Sequence, residues 1–158
     1  MCSSDLNANF TPPTAPLTAV ANTQLLLSGL NASIVDSSAT TDYQTVTNAQ
    51  SSSTQYKFGT GSIYLDGSSY ALSTPSQNLQ LGSADFTLEY WIYFNSTTTD
   101  RAAVVFGNGA TGYDDIFGYA ASGGSFALYL ASGTSSWDIA SAVTIIPASF
   151  STAQWYHV

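Results

Sequence analysis

Apolar and polar positions alternate along this chain in short bursts, and the longest burst is Phe86-Thr87-Leu88-Glu89-Tyr90-Trp91-Ile92-Tyr93-Phe94. Side chains of a strand point alternately to its two faces, so Phe86, Leu88, Tyr90, Ile92 and Phe94 share one wholly apolar face. The opposite face carries Thr87, Glu89, Trp91 and Tyr93, which is amphipathic and aromatic. The pattern predicts a central strand with Phe86, Leu88, Tyr90 and Ile92 buried between two sheets. Its other face would be shallow, concave or partly covered. Further β runs are expected at Thr23–Leu27, Thr45–Thr47, Ser62–Leu65, Tyr70–Leu72, Ala102–Phe106, Ile116–Tyr119, Phe126–Leu130, Val143–Ile146 and Trp155–Val158. Clusters of Gly, Asn, Asp and Ser separate them, the punctuation of an all-β sandwich or barrel. Asp66-Gly67 between two such runs reads as a hairpin turn, because Gly accepts positive φ at little cost. No window keeps a helical period; Gly and β-branched residues interrupt each one.

The segment Asn7–Asn22 breaks this pattern. Pro12, Pro13 and Pro16 fix φ and remove donors among Thr and Ala, so residues 7–22 read as an extended linker. Residues 1–6, Met1-Cys2-Ser3-Ser4-Asp5-Leu6, lack the basic and apolar regions of a signal peptide. They match one translation frame of a common sequencing adapter, and are set aside as an artefact on a metagenomic fragment. At the other end, Trp155-Tyr156-His157-Val158 stops within an apolar, aromatic run, so the native protein is expected to continue. At 158 residues the chain fits one domain, placed at 23–158 and C-terminally truncated.

Composition narrows the partners. Hydrophobic residues make up 44%, enough for a core, while charged residues are only 8%. Two cations, Lys57 and Arg101, stand against ten acids, for a net charge of -8. Such a surface cannot neutralise a phosphate backbone or dock on anionic lipid, so nucleic acid and membrane are excluded as partners. No apolar run approaches the roughly 18 residues of a membrane span. Cys2 is the single cysteine, which rules out a disulfide framework and a cysteine zinc site. Solubility must rest on hydroxyls, amides and carboxylates, as on proteins displayed outside cells.

Five segments in order then carry a resemblance: Thr23-Gln24-Leu25-Leu26-Leu27; Ile34-Val35-Asp36-Ser37-Ser38; Phe58-Gly59-Thr60-Gly61-Ser62-Ile63-Tyr64-Leu65-Asp66-Gly67; Phe86-Thr87-Leu88-Glu89-Tyr90-Trp91; and Trp155-Tyr156-His157-Val158. Together they resemble the laminin G-like branch of the concanavalin A-like lectin/glucanase superfamily over residues 23–158. The resemblance implies a jelly-roll sandwich of two curved antiparallel sheets. The family pattern runs past Trp-Tyr-His-Val into an arginine-containing strand and a Val-Asn-Gly-type hairpin, both absent here. The run Asn9 to Ala19 is similar to the joint between tandem copies in large structural proteins of tailed phages, particularly marine ones. That implies a virion tail or surface appendage, with neighbouring domains of a larger virion protein; a secreted or cell-surface protein is the alternative.

Each chemical motif has a plainer reading. Gly107-Asn108-Gly109-Ala110-Thr111-Gly112 has the spacing of a dinucleotide loop, but a strand rather than a helix is expected after it. It reads as a loop between strands. Glycoside hydrolysis needs two carboxyls roughly 5–10 Å apart. Glu89 is the only glutamate, and positions 87, 91 and 93 offer no partner, so no catalytic residue is assigned. His157 alone cannot furnish a triad or a zinc site. The resemblance implies Ca²⁺ at one rim of the sandwich in many relatives, and the candidate pair is Asp114 with Asp115 in the Gly-rich loop; two acids in a polar turn are the plainer reading, and no cofactor is otherwise expected. For a sugar, exposed aromatics beside amides and carboxylates are the candidates: Asn108, Tyr113 and Asp114, and Trp137 with Asp138. Rim packing would explain each ring as well.

These observations point to a non-catalytic binding or display module, with glycans or a host cell-surface polysaccharide as candidate ligands. A purely structural spacer of the same fold and a glycoside hydrolase are the alternatives.

Overall fold

In a computed structural model of the chain, the described residues are 11–30, 33–38, 43–73, 79, 81–82, 85–107, 113, 115–120, 125–133, 135–146 and 150–158. Two compact units divide at Leu88/Glu89, and all twelve strands pair antiparallel within one unit or the other. Among the described residues there is no α-helix. The expectation of an all-β chain holds.

In the first unit, β1 (Leu27–Leu30) pairs with β2 (Ser33–Asp36). Thr23–Leu26 precede the strand as coil, so the expected Thr23–Leu27 strand starts four residues late. Leu26 N–H donates to Asp36 Oδ1 (3.0 Å), and Ser38 donates to the same carboxylate from its amide (2.9 Å) and its hydroxyl. A side-chain acceptor thus works there beside the backbone bond from Ser37 N–H to Leu26 O (2.8 Å). β3 (Tyr43–Val46) pairs with β6 (Tyr70–Ser73), and β4 (Gln50–Ser52) pairs with β5 (Ser62–Tyr64).

These two ribbons correct the expected hairpin. Residues 43–52 run antiparallel to 62–73 as one long, interrupted hairpin whose tip is residues 53–61. Asp66-Gly67 turns the chain (Gly67 φ 93°), but it does so as an irregularity within one arm, opposite Thr47–Ala49. Asp66 Oδ1 accepts from the amides of Ser68 and Ser69, both at 2.9 Å, and Asp66 N–H donates to Ser69 Oγ at 3.0 Å. The turn's polar groups are therefore satisfied locally, with no need for β5 and β6 to pair. Thr47 sits at φ 61° on the other arm, which ends β3.

The second unit is a two-layer β structure. β8 (Arg101–Phe106), β9 (Asp115–Ala120), β10 (Phe126–Leu130) and β11 (Ala140–Ile146) form a four-stranded sheet in the order β11-β10-β9-β8. β7 (Trp91–Tyr93) and β12 (Trp155–His157) form a ribbon, with Trp155 opposite Tyr93 and His157 opposite Trp91. Tyr90 and Val158 exchange backbone hydrogen bonds at 3.0 and 2.9 Å and extend it by one pair. The ribbon lies on the sheet. Phe94, Ala120, Phe126 and Ile146 form the buried core, against which Tyr90, Ile92, Ala103, Phe150, Tyr156 and Val158 pack. Phe94 contacts Phe126 and Phe150 with ring centroids 5.3 and 4.7 Å apart.

Tyr90 and Ile92 thus face this core as the alternation requires. Phe86 does not: it lies 39% exposed, and residues 85–90 are outside any strand. The regular strand is Trp91–Tyr93, the residues that pair with β12, with Tyr90 joined to Val158 beyond it. Tyr90 ties ribbon to sheet a second way, its hydroxyl donating to Phe117 O at 2.9 Å. It passes over Gly118, whose φ is +89° and where a Cβ would collide with Phe126 and the Tyr90 hydroxyl. Burial pushes the Tyr90 hydroxyl well above the usual phenol range.

Candidate functional site

The outward side of the four-stranded sheet carries the arrangement that matters. On β9, Gly118 and Ala120 face the core, so Tyr119 points to the opposite side by strand alternation. Tyr129 on β10 meets it there, with ring centroids 5.8 Å apart. Trp137, in the loop 131–139 between β10 and β11, packs on Tyr129 at 5.3 Å. Tyr113, just before β9, packs on Trp137, also at 5.3 Å. Four rings therefore run in unbroken contact from the sheet's middle to its loop end.

The loop holding Trp137 is pinned at both feet. Ile139 N–H donates to Leu130 O (3.2 Å), and Ala131 N–H donates to Asp115 Oδ1 (2.9 Å). Asp138 accepts from the Ser132 amide at 2.7 Å and from the Ser132 hydroxyl. Those bonds, the hydroxyl's first, hold the Asp138 carboxyl below the usual carboxylate range. At the other end, the Tyr119 hydroxyl donates to Asp100; that bond, with some desolvation, raises the phenol above its ordinary value. Tyr113 is 37% exposed and Tyr119, Tyr129 and Trp137 are half-buried, so rings in mutual contact still present surface to solvent.

Of the residues expected to form a site, Tyr113 and Trp137 are brought together. Asn108 and Asp114 lie outside the described residues. Tyr119, Tyr129 and Asp100 join the site although the sequence reading did not single them out. Of the Gly107–Gly112 run, residues 108–112 lie outside the described residues; the strands on either side of it, β8 and β9, pair antiparallel.

A second cluster lies on the ribbon. His157 Nε2 stands 2.9 Å from Glu89 Oε1, with the imidazole side chain 3% exposed and the carboxylate 33%. Trp91 meets the imidazole edge-on at 4.9 Å, and Tyr93 meets Trp155 at 5.3 Å. The only glutamate and the only histidine of the chain are therefore partners. The β7–β12 register makes them so.

A laminin G family profile, described as the concanavalin A-like lectin/glucanases superfamily, matches residues 65–158, more than half of the chain. The chain belongs to this superfamily. No curated protein and no solved structure matches it. Membership accords with the antiparallel strands of the described residues and names a superfamily of lectins and glucanases. Of the calcium candidates, Asp114 lies outside the described residues. Among the described residues no three His, Cys, Asp or Glu side chains converge, and one oxygen of Asp115 is engaged by Ala131 N–H.

Proposed function

We propose that this superfamily member is a non-catalytic binding module that takes carbohydrate at Tyr113 and Trp137. The observation that carries the reading is their convergence: two aromatics chosen separately from loops 24 residues apart in sequence meet at 5.3 Å, on a loop held at both feet. A pyranose ring offers a face of C–H groups, electropositive enough to rest on the negative face of an aromatic ring. The fixed carboxylate of Asp138, beside Trp137, is placed to accept hydroxyl hydrogen bonds. Glycoside cleavage takes two carboxyls about 5–10 Å apart, whereas the contact of Glu89 is His157. That favours binding without hydrolysis. The reading needs no metal and no cofactor. The shortage of cations and the phage-like joint at residues 9–19 support display on a virion tail or appendage, beside further domains of a larger protein, with a host cell-surface polysaccharide as ligand; mass spectrometry of purified virions tests that location.

A glycan array probed with the full chain tests the binding. Binding that Trp137→Ala removes, and that Tyr56→Ala in the first unit leaves intact, is the expected result. An array with no signal for the unaltered chain would leave the spacer reading in its place.

A further inference from the structure

Resting on that carbohydrate reading, we infer that the ligand is an uncharged polysaccharide bound along its length, with consecutive sugars lying on Tyr113, Trp137, Tyr129 and Tyr119. A single sugar at a chain end needs one ring and a ring of polar contacts around it. Here four rings continue one another with centroids 5.3, 5.3 and 5.8 Å apart, from a loop onto the middle strands of a sheet. They meet at interplanar angles of 64°, 60° and 87°, edge to face, so no ring is stacked flat beneath its neighbour. A run of aromatic faces at changing tilt suits a twisted chain better than a flat crystalline surface.

Charge decides between the classes of polysaccharide. Asp100 is bonded to the Tyr119 hydroxyl, Asp138 follows Trp137, and Asp115 anchors the loop's first residue. From residue 89 onward Arg101 is the only lysine or arginine, and its guanidinium donates to Asp100 O at 2.9 Å. A uronic or sulfated glycan would bring negative charge to a strip set among carboxylates, with one cation to meet it. Recognition of carboxylate or sulfate groups relies on arginine forks, and repulsion between charges closer than about 8 Å survives physiological salt. Neutral hydroxyls instead donate to those same carboxylates.

Affinity electrophoresis of the full chain distinguishes the cases. The gels contain xyloglucan, galactomannan, laminarin or mixed-linkage glucan as neutral polymers, and alginate or heparin as anionic ones. Retardation in at least one neutral gel and in neither anionic gel is expected. Calorimetry with oligosaccharides of rising length from the retarding polymer should then show affinity climbing with length. Tyr119→Ala should weaken the longest oligosaccharide about tenfold while leaving the disaccharide unchanged, whereas Trp137→Ala weakens both. Tyr119→Phe keeps the ring and should bind as the unaltered chain, and unchanged melting confirms that each variant is folded. Tighter binding to alginate or heparin, affinity independent of length, or a Tyr119→Phe loss equal to that of Tyr119→Ala overturns the inference while the carbohydrate reading stands. Silence in every gel overturns both.

Discussion

Replacing Gly118 by alanine tests the packing of the second unit at its tightest point. The new Cβ would collide with Phe126, the most buried large side chain, and with the Tyr90 hydroxyl. Gly118 also sits at φ +89°, where an L side chain is strained. Forced positive φ costs on the order of 1–3 kcal/mol, and overpacking a core another 1–3. A loss of about 3 kcal/mol or more is expected, a large share of the roughly 5–15 kcal/mol that holds a domain folded. All three tryptophans, Trp91, Trp137 and Trp155, lie in this unit, so urea unfolding followed by tryptophan emission reads it without interference from residues before Glu89. Tyr90→Phe alone removes one hydrogen bond to Phe117 O and should cost only about 1 kcal/mol. In the double variant Gly118→Ala/Tyr90→Phe, one of the struck atoms is gone, so the combined loss should fall short of the sum. If Gly118→Ala unfolds at the same urea concentration as the unaltered chain, the ribbon does not press on the sheet at this point and the layered core is wrong.

Two further outcomes concern polar clusters. His157→Ala should lower the urea midpoint of the second unit, because it empties a buried site against Trp91 and removes the partner of Glu89. Glu89→Gln should cost less, since the amide keeps an oxygen that can accept from the imidazole; equal midpoints for His157→Ala and the unaltered chain would refute this. Asp66 accepts hydrogen bonds from Ser68 and Ser69, which hold its carboxyl well below the usual carboxylate range. A depressed folded value means its contribution is present above the ordinary aspartate range near pH 4 and fades as pH falls further. Asp66→Asn should therefore differ from the unaltered chain in thermal midpoint at pH 7 and converge with it toward pH 2, and a gap constant across that range would refute the turn's role.

Much of the architecture could be read from period and punctuation alone. β5, β6, β8, β9 and β10 fall close to where short apolar runs stand between Gly, Asn and Ser clusters, because two-fold alternation is a local property. Pairing is not local, and the misread elements show it. Asp66-Gly67 has the chemistry of a hairpin turn and turns the chain, yet its two flanking strands pair with β4 and β3. The long hairpin closes at residues 53–61, where Gly59 at φ 68° and the Ser62 hydroxyl on Gln55 O shape the tip without an Asn-Gly or Asp-Gly signature. Phe86 looked as buried as Ile92 because alternation carries no information about which residues of a run find a partner strand. The site was half legible for the same reason. Tyr113 and Trp137 stood out as loop aromatics, whereas Tyr119 and Tyr129 sat inside expected strands, where nothing marked them as site residues.

Strand β9 joins the two halves of the molecule's logic. Gly118 and Ala120 turn inward to the Phe126 core, and Tyr119 between them turns outward to the aromatic strip. A slip of one residue in register would exchange these faces, exposing the core positions and burying the ring that meets Tyr129. Such a slip is opposed from the inward side: the Tyr90 hydroxyl bonds to Phe117 O, and only a residue without a Cβ fits beneath it. It is opposed from the outward side as well, since Asp115 binds Ala131 N–H at the start of the loop that presents Trp137. The register that seals the core is thus the register that lines up the rings. That explains why a chain with 8% charged residues keeps four large aromatics in contact on a sheet's outer face. Packing on the inner face fixes where they stand, and their mutual tilted and edge-to-face contacts hold them together there.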